Sequence, residues 1–113
     1  MKHTMKLKSQ YYNYIVNGTK RIEIRLNDEK RNKIKIGDTI KFLKDPNFDE
    51  SIEVKVIELL KYDSFSDLIN DHDISVIADK SMNKDDVILD LEKFYPSEKQ
   101  CKYGVLGIKF KLL

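Results

Sequence analysis

Apolar and polar residues alternate along four segments of the chain, which is the period of a strand that buries one of its two faces. The segments cover residues 19–26, 39–43, 52–60 and 105–112. A shorter alternation over residues 4–7 predicts one more strand near the start of the chain. Strands at both ends with helices between them predict a mixed barrel or sheet whose terminal strands pair.

Three segments combine helical spacing of apolar residues with residues that favour helix ends. The first covers residues 9–16 and is terminated by Gly18. The second is capped by Ser64, and the third is capped by Asn83. Residues 97–100 are predicted to form a short turn of helix at most.

Length and composition predict one globular domain over residues 1–113. No apolar run approaches the roughly 18 residues of a membrane span, and the apolar segment of a signal peptide is not predicted. Cys101 is the only cysteine, which excludes an intramolecular disulfide and favours a reducing cytoplasm. No Cys/His spacing fits a metal site and no glycine-rich loop would cradle phosphates, so neither metal nor cofactor is predicted.

Charge is distributed unevenly along the chain, although the formal net charge is only +2. Residues 1–35 contain ten Lys or Arg and three Asp or Glu, whereas residues 36–113 contain eleven and sixteen. A basic segment of this kind favours partners that carry phosphate. The alternative is a compositional bias, because Lys, Asn and Ile are abundant throughout.

Several residues that could bind a ligand or take part in a reaction lie close together in the segment that begins at Gly18. Its strand presents Ile22 and Ile24 on one face, and Arg21, Glu23 and Arg25 on the other. A face of this composition stays in water or contacts a polar ligand.

The pattern Gly-x-Lys-x-x-Glu-x-Arg from Gly18, followed by a basic turn and Gly37-Asp38 before an apolar strand, resembles the ASCH domain family. The resemblance extends from about Met5 to Leu113. It implies an α+β fold, namely a small PUA-like mixed β-barrel of about five strands with short helices packed at one end. It also implies an association with RNA.

The resemblance assigns roles to Lys20 and Glu23. In relatives that deacylate N4-acetylcytidine, a lysine at the position of Lys20 is catalytic, and a threonine nucleophile stands where this chain has Glu23. A carboxylate there would orient water or bind an exocyclic amine. The alternatives are an exposed lysine and a surface ion pair with Arg25. Strict alternation separates Lys20 from Glu23, but the resemblance implies that the regular strand begins after Lys20 and that the two converge.

The deacylating relatives also carry a catalytic glutamate about ten residues before a Tyr-Pro pair. Counting back from Tyr95-Pro96 leads to Asp86, for which a capping role at a helix start is favoured over catalysis.

Three more residues are candidate ligand contacts. Arg25 would clamp a phosphate or carboxylate or pair with Glu23, and Arg21 lies on the same face. Tyr103 would stack on a base or pack in the core. The tyrosines of the predicted first helix, including Tyr11, are interpreted as packing residues.

These observations favour recognition of RNA or a modified nucleoside in a cleft lined by Lys20, Glu23 and Arg25. One alternative is an amidohydrolase acting on N4-acylated cytidine. Another is a non-catalytic protein-interaction module.

Overall fold

The computed structural model describes residues 1–113, which form one five-stranded sheet, curled into a half-barrel, and five short helices. The strands are β1 (Lys2–Leu7), β2 (Ile22–Leu26), β3 (Thr39–Lys44), β4 (Ser51–Tyr62) and β5 (Val105–Leu112). The helices are α1 (Ser9–Val16), α2 (Phe65–Asn70), α3 (Ile74–Ile77), α4 (Lys84–Phe94) and α5 (Ser97–Tyr103). The predicted α+β class and the five-strand sheet are therefore confirmed.

The strands follow the order β1-β3-β4-β5-β2, so β1 and β2 are the two edges of the sheet. β1 runs parallel to β3, and the other pairs are antiparallel. All four segments with strong alternation lie in this sheet, as predicted. The prediction that the terminal strands pair is wrong, because β5 lies between β4 and β2 and has no ladder with β1.

Two apolar clusters explain which strand faces are buried. One joins α1 to β1, β3, β4 and β5, and the other packs β2 against α2, α3 and α4. Ile22, Ile24 and Leu26 all belong to the second cluster. Since successive side chains of a strand alternate in direction, Glu23 and Arg25 of β2 project from the opposite face.

β2 begins at Ile22, three residues later than the alternation predicted. The backbone N–H groups of Thr19 and Lys20 both donate to the carbonyl of Tyr14, and that of Arg21 donates to Val76 in α3. These N–H groups therefore bond to α1 and α3 rather than to a neighbouring strand, although the carbonyl of Arg21 still accepts a hydrogen bond from Phe110 in β5. α3 was not predicted, because a four-residue helix has too little periodicity to recognise.

The helix predicted from Asn83 is confirmed as α4, with the Asn83 side chain accepting hydrogen bonds from the backbone of Asp85 and Asp86. The prediction for residues 97–100 is wrong in extent. α5 has seven residues and ends at Tyr103, and the next residue, Gly104, has a φ of 74° in the left-handed region that favours glycine. None of the helices has the length and apolar character needed to cross a bilayer.

Asp38 ties the edge strand β1 to β3 and provides a pH-dependent test of the fold. His3 Nε2 lies 2.8 Å from its Oδ2, and the backbone N–H of Lys35 donates to the same oxygen at 2.9 Å. These bonds, chiefly that with His3, lower the pKa of Asp38 to about 2. Because a lowered pKa stabilises the fold only while the carboxylate is charged, the stabilisation is lost as pH falls from about 4 to about 2.

We expect Asp38→Asn to lower the free energy of unfolding at pH 7 by about 1–3 kcal/mol. Urea titrations from pH 7 to pH 2 should show this deficit shrinking as the wild-type carboxylate becomes protonated. Asp63→Asn, which changes an exposed carboxylate, is the matched control. A deficit of equal size at pH 2 would contradict the argument.

Candidate functional site

Lys20 is buried just before β2, with 3% of its surface exposed. Its Nζ donates to the backbone oxygens of Ile22 at 2.6 Å and Ile77 at 2.7 Å. The third partner is Glu23 Oε1, 3.2 Å away. An ammonium has three N–H donors, so these acceptors use all of them. Because β2 begins only at Ile22, Lys20 lies outside the regular strand and can contact Glu23, so the predicted convergence of the two side chains is confirmed.

Arg25 holds the other oxygen of the Glu23 carboxylate. Its Nε and Nη2 each lie 2.8 Å from Glu23 Oε2. The same Nη2 donates to the backbone oxygen of Lys6 at 2.9 Å. Arg25 therefore reaches from β2 to β1 and links the two edge strands, which have no backbone ladder between them.

Burial and charge act in opposite directions on this cluster of three side chains. Burial lowers the pKa of Lys20, and the adjacent Glu23 opposes that shift. Burial would raise the pKa of Glu23, but the charges of Arg25 and Lys20 outweigh it and hold the pKa below its ordinary value. Glu23 is therefore an ionised carboxylate at neutral pH and a strong hydrogen-bond acceptor.

The cluster borders a pocket of about 300 Å³ between the two edge strands, α1 and α4. Its walls are largely apolar or aromatic, and its charged groups include both signs. The lining residues are Lys6, Leu7, Lys8, Gln10, Tyr11, Lys20, Glu23, Ile24, Arg25, Ile77, Val87, Asp90, Leu91, Phe94 and Tyr95. The pocket thus combines aromatic surface with the carboxylate of Glu23, which Lys20 and Arg25 hold in place.

Three other predicted site residues lie elsewhere. Arg21 is exposed, and its Nε donates to the backbone oxygen of Gly18 at 2.9 Å. Asp86 is exposed in the first turn of α4, and its backbone N–H donates to the capping side chain of Asn83. The geometry therefore fits the interpretation of Asp86 as part of a helix start. Tyr103 is half-buried against the apolar cluster around β2. None of the three lines the pocket.

Sequence reasoning missed Tyr11, Asp90 and Tyr95, which do line the pocket. Tyr11 was interpreted only as a packing residue, yet its ring lies 5.6 Å from Lys20 Nζ. Burial, and then the nearby charge of Asp90, raise the pKa of Tyr11, so the ring keeps its phenol proton at neutral pH. Asp90 lies one turn after Asp86. The sequence could have indicated Asp90 through its spacing of three residues from the apolar Val87, because residues three apart in a helix are neighbours.

Comparison with protein-family models matches residues 5–113 to the ASCH domain. The chain belongs to the ASCH domain family. It is similar to the crystal structure of hypothetical protein PH0355, with 33% identity, complete coverage of both chains and a TM-score of 0.87. It is also similar to the solution NMR structure of protein PF0455 from Pyrococcus furiosus, with 31% identity, coverage of 100% of this chain and 98% of that chain, and a TM-score of 0.78. A search of curated proteins gave no significant match.

The family assignment agrees with the PUA-like fold implied by the Gly18 segment. In this ASCH domain, the lysine, glutamate and arginine of that segment form one hydrogen-bonded cluster at the pocket. An ionised carboxylate clamped by two cations accepts hydrogen bonds well but is a weak base. The cluster is therefore better suited to holding a donor group than to removing a proton.

Proposed function

We propose that this ASCH domain recognises a nucleobase, in RNA or as a modified nucleoside, through the Glu23 carboxylate. The observation that carries the proposal is the fixed, ionised state of Glu23 between Lys20 and Arg25 at the pocket. Exocyclic amines of cytosine and adenine donate hydrogen bonds, and a carboxylate is a suitable acceptor for them. A base with an oxygen at that edge would face the negative charge.

Pocket size and aromatic walls support the same ligand class. A volume of about 300 Å³ is at the lower end of the range for small-molecule pockets. Tyr11 and Tyr95 supply ring surface beside the charged cluster. Unpaired bases are commonly recognised by stacking on such rings together with hydrogen bonds to the base edge.

A second candidate is hydrolysis of an N4-acylated cytidine. The direct contact between Lys20 and Glu23 at the pocket favours it, because it brings a cation and a carboxylate to one reaction site. Two observations weigh against turnover. All three Lys20 donors already have partners, and the lowered pKa of Glu23 reduces its strength as a base.

Calorimetric titration with a nucleoside panel tests the proposal. We expect cytidine, adenosine or N4-acetylcytidine to bind at least about tenfold more tightly than uridine, because only uridine places an oxygen against the carboxylate. Short RNAs should bind with an affinity that falls steeply as salt rises, since contacts with phosphate release counterions. Lys111→Ala, on the exposed end of β5, should change little. Equal affinity for uridine and the amine-bearing nucleosides would contradict the role of Glu23.

A further inference from the structure

Two exposed phenylalanines near the pocket each lie under a lysine ammonium. Lys8 Nζ is 4.8 Å from the centroid of the Phe94 ring, and Lys6 Nζ is 5.0 Å from that of Phe48. Phe94 is 62% exposed and Phe48 is 38% exposed. A pairing of an accessible ring with a cation offers a stacking surface beside a phosphate contact.

Phe48 adopts a backbone conformation that is unusual for a bulky residue. Its φ of 58° lies in the left-handed region, where a side chain of this kind is strained. Its backbone N–H donates to Lys44 at 2.8 Å, which fixes the turn between β3 and β4. Strained positions of this type concentrate at functional surfaces. Here the strained residue presents an exposed aromatic ring.

The two pairs lie at the end of β1 beside the pocket, because Lys6 is in β1 and Lys8 directly follows it. Lys6, Lys8 and Phe94 line the pocket. Phe48 lies outside the pocket, in the turn that follows β3. Lys44, the last residue of β3, is paired with Leu7 at the end of β1. The surface therefore offers a ring at the pocket, one cation in the edge strand β1, a second cation directly after it, and a second ring outside the pocket.

We propose that this surface, formed by Lys6, Lys8, Phe48 and Phe94, is a track for single-stranded RNA. The inference rests on the proposed function, because one base of the strand occupies the pocket. Neighbouring bases stack on Phe94 and Phe48, and the ammonium groups of Lys6 and Lys8 contact the intervening phosphates. A free nucleoside reaches only the pocket. A duplex keeps its bases stacked inside and cannot use the rings.

Binding of three ligands distinguishes the track from the pocket: a nucleoside, a single-stranded RNA hexamer containing it, and the same hexamer annealed to its complement. We expect the single-stranded hexamer to bind at least about thirtyfold more tightly than the nucleoside, because each stacked base adds roughly a five- to 150-fold gain. The duplex should bind more weakly than the single strand.

Variants assign the gain to the named side chains. Phe94→Ala and Phe48→Asn should each weaken hexamer binding about tenfold, and asparagine tolerates the left-handed conformation at that position. The nucleoside does not reach Phe48, so Phe48→Asn should leave its affinity unchanged. Lys6→Gln and Lys8→Gln should each lower the salt slope by about one. The controls are Leu89→Ala, an exposed apolar residue of α4, and Lys111→Gln.

The outcomes separate this inference from the proposed function. A nucleoside that binds as tightly as the hexamer would overturn the track and leave the pocket intact. Hexamer binding that ignores both phenylalanines would also overturn it. Hexamer binding that needs the phenylalanines but not Glu23 would support the track and refute the pocket. Absence of binding by both ligands would refute both proposals.

Discussion

Replacing Lys20 by methionine will lower the free energy of unfolding by about 3–5 kcal/mol, because it removes one partner of a buried ion pair. The side chain is only 3% exposed. Its loss leaves the backbone oxygens of Ile22 and Ile77 without the donor that now satisfies them. It also leaves Glu23 buried beside Arg25 alone. Each of these losses leaves a polar atom in the interior without a partner, and each therefore lowers the free energy of unfolding.

Urea unfolding at pH 7 measures the effect, with Lys111→Met as a matched control on an exposed lysine. The control should stay within about 0.5 kcal/mol of wild type. The double variant Lys20→Met with Glu23→Leu removes both charges and should recover part of the loss, because no unpaired carboxylate then remains. A loss below about 1 kcal/mol for Lys20→Met would mean that the ammonium is not buried as described.

Strand alternation predicted much of the sheet because each strand buries one face. β3 and β4 show this clearly, since Ile40, Phe42, Val54 and Val56 are almost fully buried and alternate with polar residues. The same rule was wrong at the start of β2. Thr19 and Lys20 continue the sequence pattern, but the carbonyl of Tyr14 takes both of their N–H groups. A contact with the preceding helix therefore overrides the local period.

The site was only partly predictable for a related reason. Residues on one strand, such as Glu23 and Arg25, are related by a spacing that the sequence displays. Residues contributed by separate helices depend on how each helix is rotated against the sheet. α4 directs Val87 and Leu91 toward the pocket, and Asp90 lies beside them in the pocket wall, whereas Asp86, in the first turn of the helix, does not line the pocket. Tyr11 enters the pocket through the equivalent rotation of α1.

Glu23→Gln will weaken binding of an amine-bearing nucleoside by about 10- to 150-fold if the carboxylate recognises the base. The amide is nearly isosteric, but one of its oxygens becomes an NH₂ group that faces Lys20 or Arg25, which are themselves donors. The ligand loses a charge-assisted hydrogen bond, an interaction of roughly 1.5–3 kcal/mol. Uridine affinity should change less or improve, since the negative charge facing its oxygen is gone.

The same substitution has a different signature if the protein hydrolyses N4-acetylcytidine. Glutamine cannot accept a proton from water, so acetate release would stop while nucleoside binding persists. Loss of affinity therefore indicates recognition, and loss of turnover alone indicates catalysis. Both are measured on one preparation, by calorimetry and by acetate release, with thermal unfolding as the check that the variant is folded.

Glu23→Thr completes the test, because it introduces the residue that the deacylating relatives are implied to use as nucleophile. Threonine is too short to reach both cations, so Lys20 loses one of its three acceptors. Lys20 then has a free N–H donor near the pocket, or a free lone pair when its amine is neutral. A shared mechanism predicts that this variant keeps or gains acetate release. If wild type and Glu23→Thr both fail to release acetate while wild type discriminates cytidine from uridine, the pocket recognises its base without hydrolysing it.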